Sequence, residues 1–332
     1  MTAETPTAET PTAETAFDPQ AYVDQTLARL RPLAGVRVLV TVSGGVDSTT
    51  SARLLMSVGC DSVHLMIDSG LLRCGEPEEP RMLLAAQGIA VETLDAADAF
   101  RKVLTGLADS RDKREAFREL YFDLIESYMD DHGIEVVAQG SQFHRISAKQ
   151  AHNAPTDRFL ARRFQIVEPV LGLDKIRVRA VAETLGLPPA AIHRRPFPGP
   201  GLLVRFGGPF DTGRLSLIRE ATAIVDAFVN EHSATFADCY QIFPYLPAAE
   251  PVTYVDTDGT GSLGSVLLLR AIREHPSATT ATYMPFEPAC ELREKLVARL
   301  MRLPGVARVC LDLTPKFGLG ADVAPGATIE YA

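Results

Sequence analysis

The most regular pattern in the chain is an alternation of short apolar runs with helical apolar stripes between residues 18 and 195. The apolar runs predict strands at Val38 to Val42, Ser62 to Ile67, Ala90 to Thr93, Glu135 to Ala138 and Gln165 to Val167. The stripes predict helices at Asp18 to Leu33, Arg81 to Gln87, Ala97 to Leu107, Lys113 to His132 and Asp174 to Leu185. Because strands and helices alternate, this part of the chain predicts a parallel, doubly wound α/β sheet.

A change of composition near Pro196 predicts a domain boundary. Pro196 to Gly201 holds three prolines and two glycines in six residues, which excludes a helix or a central strand. Beyond it the pattern predicts strands at Leu202 to Phe206, Tyr240 to Phe243, Val252 to Val255 and Val306 to Leu313. It predicts helices at Arg214 to Glu231, Leu263 to Arg273 and Cys290 to Leu303. Without a strand–helix rhythm, these elements indicate a small α+β domain over residues 196–332.

The first 17 residues repeat Thr-Ala-Glu-Thr-Pro almost three times and contain little that a core could bury. We expect a disordered tail over 1–17, followed by the first folded domain over 18–195. Phe143 to Arg163 is polar, basic and without a clear period, which predicts a mobile loop above the ends of the strands.

Composition narrows the class of protein. A hydrophobic content of 46% and a charged content of 23% are typical of a globular protein. The net charge of −9 argues against broad binding of nucleic acid or anionic membranes, and no apolar run is long enough to span a bilayer. Five scattered cysteines without a Cys-x-x-Cys pair indicate reduced thiols, so we expect a cytoplasmic enzyme without a zinc site.

The turn after the first predicted strand carries the strongest chemical signal. It reads Ser43-Gly-Gly-Val-Asp-Ser48 and leads directly into a helix. Paired glycines leave amide N–H groups open, and a helix N-terminus adds unpaired donors and a partial positive charge. The hydroxyls of Ser43 and Ser48 add donors, while Asp47 is a hard oxygen ligand suited to Mg²⁺. The turn therefore predicts a phosphate or pyrophosphate site, although it lacks the Gly-Lys-Ser/Thr ending of a Walker A loop.

Two further turns are expected beside it. Asp68-Ser-Gly-Leu-Leu-Arg73 follows the second predicted strand, and Gln139-Gly140 follows the fourth. Ligands bind outside the carboxyl ends of the strands in open α/β sheets, so these turns predict one shared site.

These motifs occur in an order that resembles one family. The Ser43 to Ser48 turn resembles the PP-loop of the N-type ATP pyrophosphatases. With Asp68 to Arg73, Val167-Glu-Pro169 and Pro196 to Leu202 it resembles the ATP-pyrophosphatase part of GMP synthase, followed by that family's small dimerisation domain. The resemblance covers Ala34 to the C-terminus. It implies the adenine-nucleotide α-hydrolase fold and an ATP-dependent ligase of purine biosynthesis that adenylates a carbonyl oxygen of XMP, releases pyrophosphate and inserts ammonia.

The resemblance also implies roles for individual residues. Asp47, Ser48 and the predicted lid lysine Lys149 are the implied catalytic groups, with Asp47 as the Mg²⁺ ligand. ATP-binding positions are Ser43, Gly44, Gly45, Val46, Asp47, Ser48, Asp68, Ser69, Gly70, Leu72 and Gly140. Acceptor-binding positions are Arg195, Pro198, Gly199, Lys316, Thr328 and Glu330. The family further implies a homodimer, and a separate glutaminase subunit or free ammonia as the nitrogen donor, because no glutaminase segment precedes Ala34.

Departures from the family pattern leave the acceptor open. Arg195 stands where a histidine is usual, Phe243-Pro-Tyr-Leu-Pro replaces a segment that carries an arginine, and residues 317–324 separate Lys316 from Pro325. The loop between Gly140 and Lys149 is also short. One alternative is a specialised paralogue with a changed purine-like acceptor. A sulfur transferase that uses Cys74, and a non-catalytic binding paralogue, are two others; the intact Asp47 disfavours the last.

Overall fold

The computed structural model describes residues 17–140, 155–162, 164–255, 259, 261–274 and 283–313. A parallel sheet with the order β3-β2-β1-β4-β5 forms the first half of this part of the chain. A smaller mixed sheet with the path β10-β8-β6 forms the second, and β7 and β9 also pair with β8. The predicted α/β class, doubly wound and followed by a small α+β part, is confirmed.

The first sheet and its helices follow the predicted alternation. Its strands are β1 (Arg37–Thr41), β2 (Asp61–Asp68), β3 (Val91–Asp95), β4 (Val136–Ala138) and β5 (Gln165–Val167). The helices are α1 (Pro19–Leu30), α2 (Val46–Ser57), α3 (Glu78–Ala85), α4 (Ala97–Leu104), α5 (Ser110–His132), α6 (Asp157–Ala161), α7 (Lys175–Thr184) and α8 (Pro189–Ile192). A short 3₁₀ turn, Arg31–Leu33, extends α1.

The second half contains one long helix, one shorter helix and the mixed sheet. Its helices are α9 (Thr212–Glu231) and α10 (Cys290–Leu300). Its strands are β6 (Gln241–Tyr245), β7 (Val252–Val255), β8 (Gly261–Glu274), β9 (Tyr283–Pro285) and β10 (Val306–Asp312). No helix in the described ranges is both long and apolar enough to cross a membrane.

The prediction of a helix at Leu263 to Arg273 is wrong, because these residues form the centre of β8. β6 pairs antiparallel and β10 pairs parallel with β8, so its backbone donors and acceptors are used on both edges. Leu267 and Leu269 are buried, and so are Arg270, Ala271 and Ile272, so the centre of β8 is covered on both faces. An unbroken apolar run does not show whether a helix or a strand buries it, and here the partner strands decide.

The prediction of a strand at Leu202 to Phe206 is also wrong, since Gly201–Arg205 is a 3₁₀ turn. Gly201 has a φ of 64°, and the N–H of Leu202 donates to the carbonyl of Leu71 at 2.7 Å. That bond binds the segment to the turn after β2 in place of a strand partner. The predicted loop from Phe143 to Arg163 is wrong at Asp157–Ala161, where α6 begins at a Thr156 cap. Its residues 143–154 and 163 lie outside the described residues, as does the predicted tail over 1–16.

Three apolar cores hold these layers together. One face of the parallel sheet packs Val38 and Val40 against α1, α2 and α7. The other face packs Leu39 and Val137 against α5. The third core joins the mixed sheet, α9 and α10 to Phe100 of α4 and other apolar residues of α4 and α5. The domain boundary near Pro196 stays a prediction, but the apolar core beyond it includes side chains from the first half of the chain.

Lys113 on α5 adds a polar connection between the two halves. Its Nζ donates to the carbonyls of Phe206 and Gly208, at 3.0 Å and 3.1 Å, and the side chain is only 1% exposed. Burial, followed by the charge of Arg214, lowers the pKa of Lys113 to about 8. The fold therefore uses a desolvated ammonium group to hold the chain that follows the proline-rich segment.

Candidate active site

The predicted phosphate turn connects β1 to α2. Gly44 has a φ of 70°, which a residue with a side chain rarely adopts, and a Cβ there would lie 2.3 Å from the Cβ of Pro80. α2 begins at Val46, and Gly45 at its cap provides no side chain to satisfy the first N–H groups. The start of α2 therefore presents amide donors without a side-chain cap at the positive end of a helix, as an anion site requires.

Two serine hydroxyls tie the ends of this turn together. The Oγ of Ser48 donates to the carbonyl of Gly45 at 3.1 Å and accepts from the N–H of Ser43 at 3.2 Å. The Oγ of Ser43 lies 3.3 Å from that of Ser48 and accepts from the N–H of Gly45 at 3.4 Å. Ser48 therefore shapes the turn, and its predicted catalytic role stays a prediction.

Gly140 lies directly against the turn, as predicted. A Cβ at this position would lie 2.8 Å from the backbone nitrogen of Ser48 and 2.9 Å from the carbonyl carbon of Asp47. These neighbours are main-chain atoms and cannot rotate away, so position 140 excludes a side chain. β4 pairs with β1, which brings the two turns together at the same edge of the sheet.

Asp47 is paired with a lysine that was not among the predicted site residues. The Nζ of Lys175 donates to Oδ2 of Asp47 at 2.6 Å, and both side chains are about four-fifths buried, with 21% and 24% of each exposed. Lys175 is the first residue of α7, and Asp174 caps that helix. A cation at a helix N-terminus is unfavourable for the helix itself. That misfit was the signal in the sequence that a nearby anion compensates it.

The turn after β2 lies on the other side of β1. Oδ1 of Asp68 accepts from the N–H of Gly70 at 2.9 Å, and Oγ of Ser69 accepts from the N–H of Leu71 at 3.3 Å. Arg219 of α9 donates to the carbonyls of Gly70 and Leu72, the latter at 2.9 Å. The predicted adenosine-binding turn is thus closed by its own side chains and held by a helix of the second half.

The two arginines that precede the proline-rich segment point to different elements. Nη1 of Arg194 donates to the carbonyl of Ser43 at 3.4 Å, and its Nη2 donates to Glu76. Arg195 instead donates to the side-chain carbonyl of Asn230 on α9, at 3.3 Å. The predicted acceptor residues Pro198 and Gly199 follow in the same segment, in which the N–H of Gly201 donates to the carbonyl of Pro198 at 2.9 Å.

Several predicted site residues lie outside the described residues, namely Lys149, Lys316, Thr328 and Glu330. Within the described ranges, no group of three or more histidine, cysteine, aspartate or glutamate side chains could hold a metal ion. The role of Asp47 as a Mg²⁺ ligand stays a prediction. Cys74, the residue on which the sulfur alternative depends, is an exposed free thiol just after the second turn.

The parallel sheet and the Ser43 to Ser48 turn, packed against Gly140, define a PP-loop ATP pyrophosphatase. Comparison with known proteins identifies the family within this class. One subunit of the glutamine-hydrolysing GMP synthase of Methanoculleus marisnigri is 33% identical over 326 residues, which cover 94% of this chain and 98% of the relative. The corresponding subunit from Methanopyrus kandleri is 32% identical over 336 residues, covering 95% and 99%. The chain belongs to the GMP synthase family, whose members are ATP-dependent carbon–nitrogen ligases.

Other comparisons show how much of longer relatives this chain covers and add nothing about its function. The undivided glutamine-hydrolysing GMP synthase of Thermus thermophilus is 33% identical over 330 residues, and there this chain covers 62% of the relative. No protein-family model matches the chain. A solved structure of NMN synthetase from Francisella tularensis aligns over 65% of this chain with a TM-score of 0.46 and 18% identity, an overlap too low to argue from.

Proposed function

We propose that this chain is the synthetase subunit of a two-subunit GMP synthase. In this reaction an oxygen of XMP, at C2 of the purine, attacks the α-phosphorus of ATP, and the bond to the β-phosphate breaks to release pyrophosphate. Ammonia then adds to C2, the C2–O bond breaks, and AMP leaves while the nitrogen loses one proton and keeps two as the amino group. The phosphate turn from Ser43 to Ser48, with Asp47 and Lys175 beside it, is the observation that carries this proposal.

The described residues supply what the leaving pyrophosphate needs. Open N–H groups of the turn and the start of α2 bind its oxygens, and the ammonium group of Lys175 stabilises the negative charge that develops on them. The neighbouring turn from Asp68 to Leu72 binds the adenosine. Because both turns end strands of one sheet, their groups are held in position before the nucleotide arrives.

The residues present fit a magnesium ion bound together with ATP. Mg²⁺ in nucleotide sites is held by one or two carboxylates plus phosphate oxygens and water, and Asp47 offers a carboxylate at the start of α2. Bound Mg²⁺ would neutralise phosphate charge. The ammonium group of Lys175 holds the Asp47 carboxylate at this position, where the carboxylate could also bind Mg²⁺.

The acceptor nucleotide is assigned to the second half of the chain. Arg195, Pro198 and Gly199 line its approach, and Lys316, Thr328 and Glu330 are proposed to reach the purine and its phosphate. The segment beyond Pro196 is also proposed to form a homodimer, as the family resemblance implies. Sedimentation of the purified chain at micromolar concentration tests this, because a monomer would remove the dimer proposal.

The nitrogen is proposed to come from a separate glutaminase subunit. The curated relatives that this chain spans almost completely are each named as one subunit of a glutamine-hydrolysing enzyme, which implies a second subunit. Glutamine should therefore support the reaction only when that subunit is added, whereas ammonium should support it with this chain alone.

One assay tests the chemistry. Purified protein is given ATP, Mg²⁺ and XMP with ammonium or with sulfide, and AMP, pyrophosphate and the purine product are measured. We expect equal amounts of AMP, pyrophosphate and GMP with ammonium. Release of pyrophosphate with sulfide but not with ammonium would favour the sulfur transferase, and no release with either would favour a binding paralogue.

A further inference from the structure

Arg194 approaches the phosphate turn more closely than the proposed mechanism requires. Its Nη1 donates to the carbonyl of Ser43 at 3.4 Å, and the same atom would lie 3.1 Å from a Cβ at Gly44. The guanidinium therefore lies against the turn that is proposed to bind phosphate. Its side chain is 14% exposed, so its position is well defined but solvent still reaches it.

A buried carboxylate fixes this orientation. Glu76 is 5% exposed and accepts from Arg194 and from Arg73, the latter at 2.8 Å. Burial would raise the pKa of Glu76, but the guanidinium groups of Arg73 and Arg194 hold it below its ordinary value, so the carboxylate stays ionised. Removing one member of such a desolvated group leaves the others without compensation, so the arrangement is costly to break.

The cluster of charged side chains around Glu76 also includes a residue from the second half of the chain. Arg73 lies 3.5 Å from Asp226 of α9, and its guanidinium stacks over the ring of Phe197 at 4.6 Å from the ring centre. Oppositely charged side chains thus run without a break from α9, through Arg73 and Glu76, to Arg194 at the phosphate turn.

Arg194 has more N–H donors than its contacts with the described residues use, which favours a ligand-binding role over a purely structural one. A guanidinium has five N–H donors, and the bonds of Arg194 within the described ranges go to Ser43 and Glu76. Further donors therefore remain for an anion in the turn. Arginine also forms short, charge-assisted bonds with phosphate oxygens.

We propose that Arg194 is a pyrophosphate-binding residue and that Glu76 is the positioning residue that aims it at the Ser43 to Ser48 turn. The inference rests on the proposed function, since it assumes that ATP places its β- and γ-phosphates there. It adds a second cation to the turn, at the carbonyl of Ser43, whereas Lys175 pairs with Asp47. Through Arg73 and Asp226 it also connects the phosphate site to the half of the chain that is proposed to bind the acceptor.

The first test measures binding of inorganic pyrophosphate with Mg²⁺ by calorimetry, and KM for ATP. Arg194→Ala should raise the Kd of pyrophosphate and KM for ATP by about 10- to 100-fold, as expected for one charge-assisted bond. Arg194→Lys should recover part of that loss because it keeps the charge. Arg299→Ala is the control, since Arg299 also pairs with a carboxylate, that of Glu231, but has no part in the proposed site. The control should change neither constant by more than about twofold.

The second test is a double-mutant cycle. Glu76→Gln should weaken pyrophosphate binding by about three- to tenfold in the wild-type background, and by less than about twofold when Arg194 is already alanine. Equal effects in both backgrounds, or tighter binding in Glu76→Gln, would show that Glu76 does not aim Arg194. If Glu76→Gln fails to fold, the Arg194 variants still decide the assignment of the binding residue.

The outcomes also separate this inference from the proposed function. If the wild-type protein releases no pyrophosphate from ATP with XMP and ammonium, the proposed function fails. If the wild-type protein is active, and the Arg194→Ala variant binds pyrophosphate as tightly as the wild type, only the inference about Arg194 fails.

Discussion

The two sheets differ in what specifies them. In the parallel sheet, helical crossovers connect strands that lie side by side, and all strands end at the same edge of the sheet. The turns after β1 and β4 meet at this edge, where Gly140 packs against Asp47. In the mixed sheet the 14-residue strand β8 pairs with every other strand, and no comparable convergence of turns lies among the described residues. The first sheet can be read from local sequence, whereas the second depends on partners that are distant in sequence. Chemistry is therefore concentrated in the part whose local pattern is strongest.

The most direct way to break this contrast is at Asp47. Asp47→Ala should lower the rate of pyrophosphate release by about 10²- to 10³-fold, the usual cost of one charge-stabilising group. The unfolding midpoint should also fall, because Lys175 loses its partner, so the rate is measured well below that midpoint. Asp61→Ala is the matched control, because Asp61 begins β2 at the opposite edge of the same sheet and is exposed beside Arg37. A variant at Asp47 that keeps more than about a tenth of wild-type turnover would contradict the assignment of the turn.

A pair of glycine substitutions sharpens the contrast. Gly140→Ala places a Cβ 2.8 Å from the nitrogen of Ser48, and Gly264→Ala places one 2.8 Å from the ring of Tyr254 and 2.9 Å from the nitrogen of Ala307. Both should destabilise the fold, by about 1–3 kcal/mol, as overpacking usually does. Only Gly140→Ala should also raise KM for ATP, by about tenfold or more, in steady-state kinetics below the unfolding midpoint. Equal kinetic effects would show that the phosphate turn is not a separate unit.

A smaller, pH-dependent effect tests the connection between the sheets at Lys113. Its pKa in the folded state, about 8, lies below the value of 10.5 for a free lysine. The unfolded chain therefore binds this proton more tightly, and the contribution of Lys113 to stability rises with pH from about 8 to about 10.5. Between pH 7 and pH 9.5 the free energy of unfolding of the wild type should increase by about 1–2 kcal/mol relative to Lys113→Met. Parallel pH profiles in chemical denaturation would refute the proposed burial of charge.

The smallest expected effect is at Cys74. Amination needs no thiol, so Cys74→Ser should keep ammonium-dependent turnover within about twofold of wild type. Buried Cys239, whose pKa burial raises to about 11, is not a candidate nucleophile. Loss of product with ATP still bound in Cys74→Ser would instead favour the sulfur transferase.

Prediction of secondary structure from the sequence succeeded in the parallel sheet and failed in parts of the second half of the chain. The strands of the parallel sheet were predicted within one or two residues, because each is a short apolar run between a helix and a polar turn. β8 was predicted as a helix, because residues 267–272 are apolar except for Arg270 and show no clear period, and because its partner strands lie far away in sequence. The 3₁₀ turn at Gly201–Arg205 was missed, since the bond from Leu202 to Leu71 is also non-local.

The site was predicted in its backbone and missed in its cations. A strand, two glycines and a helix fix the phosphate turn, so Ser43 to Ser48 could be named from the sequence alone. Lys175 follows in the chain 128 residues after Asp47, and Arg194 lies 151 residues after Ser43. Their contacts depend on how α7 and the proline-rich segment pack against the turn. Of two adjacent arginines, Arg195 was predicted to bind the acceptor, which stays a prediction, whereas Arg194, which was not predicted, contacts the phosphate turn.

The core that α4 and α5 share with the mixed sheet has a consequence for protein engineering. Phe100 and Phe117 pack in the same cluster as Leu203 and Phe206, so a cut at Pro196 would expose apolar surface on both fragments. Chimeras that exchange the half beyond Pro196 between relatives should therefore take α4 and α5 from the same parent as that half. The useful recombination points lie on either side of these two helices, and a linker at the proline-rich segment is a poor place to join two parents.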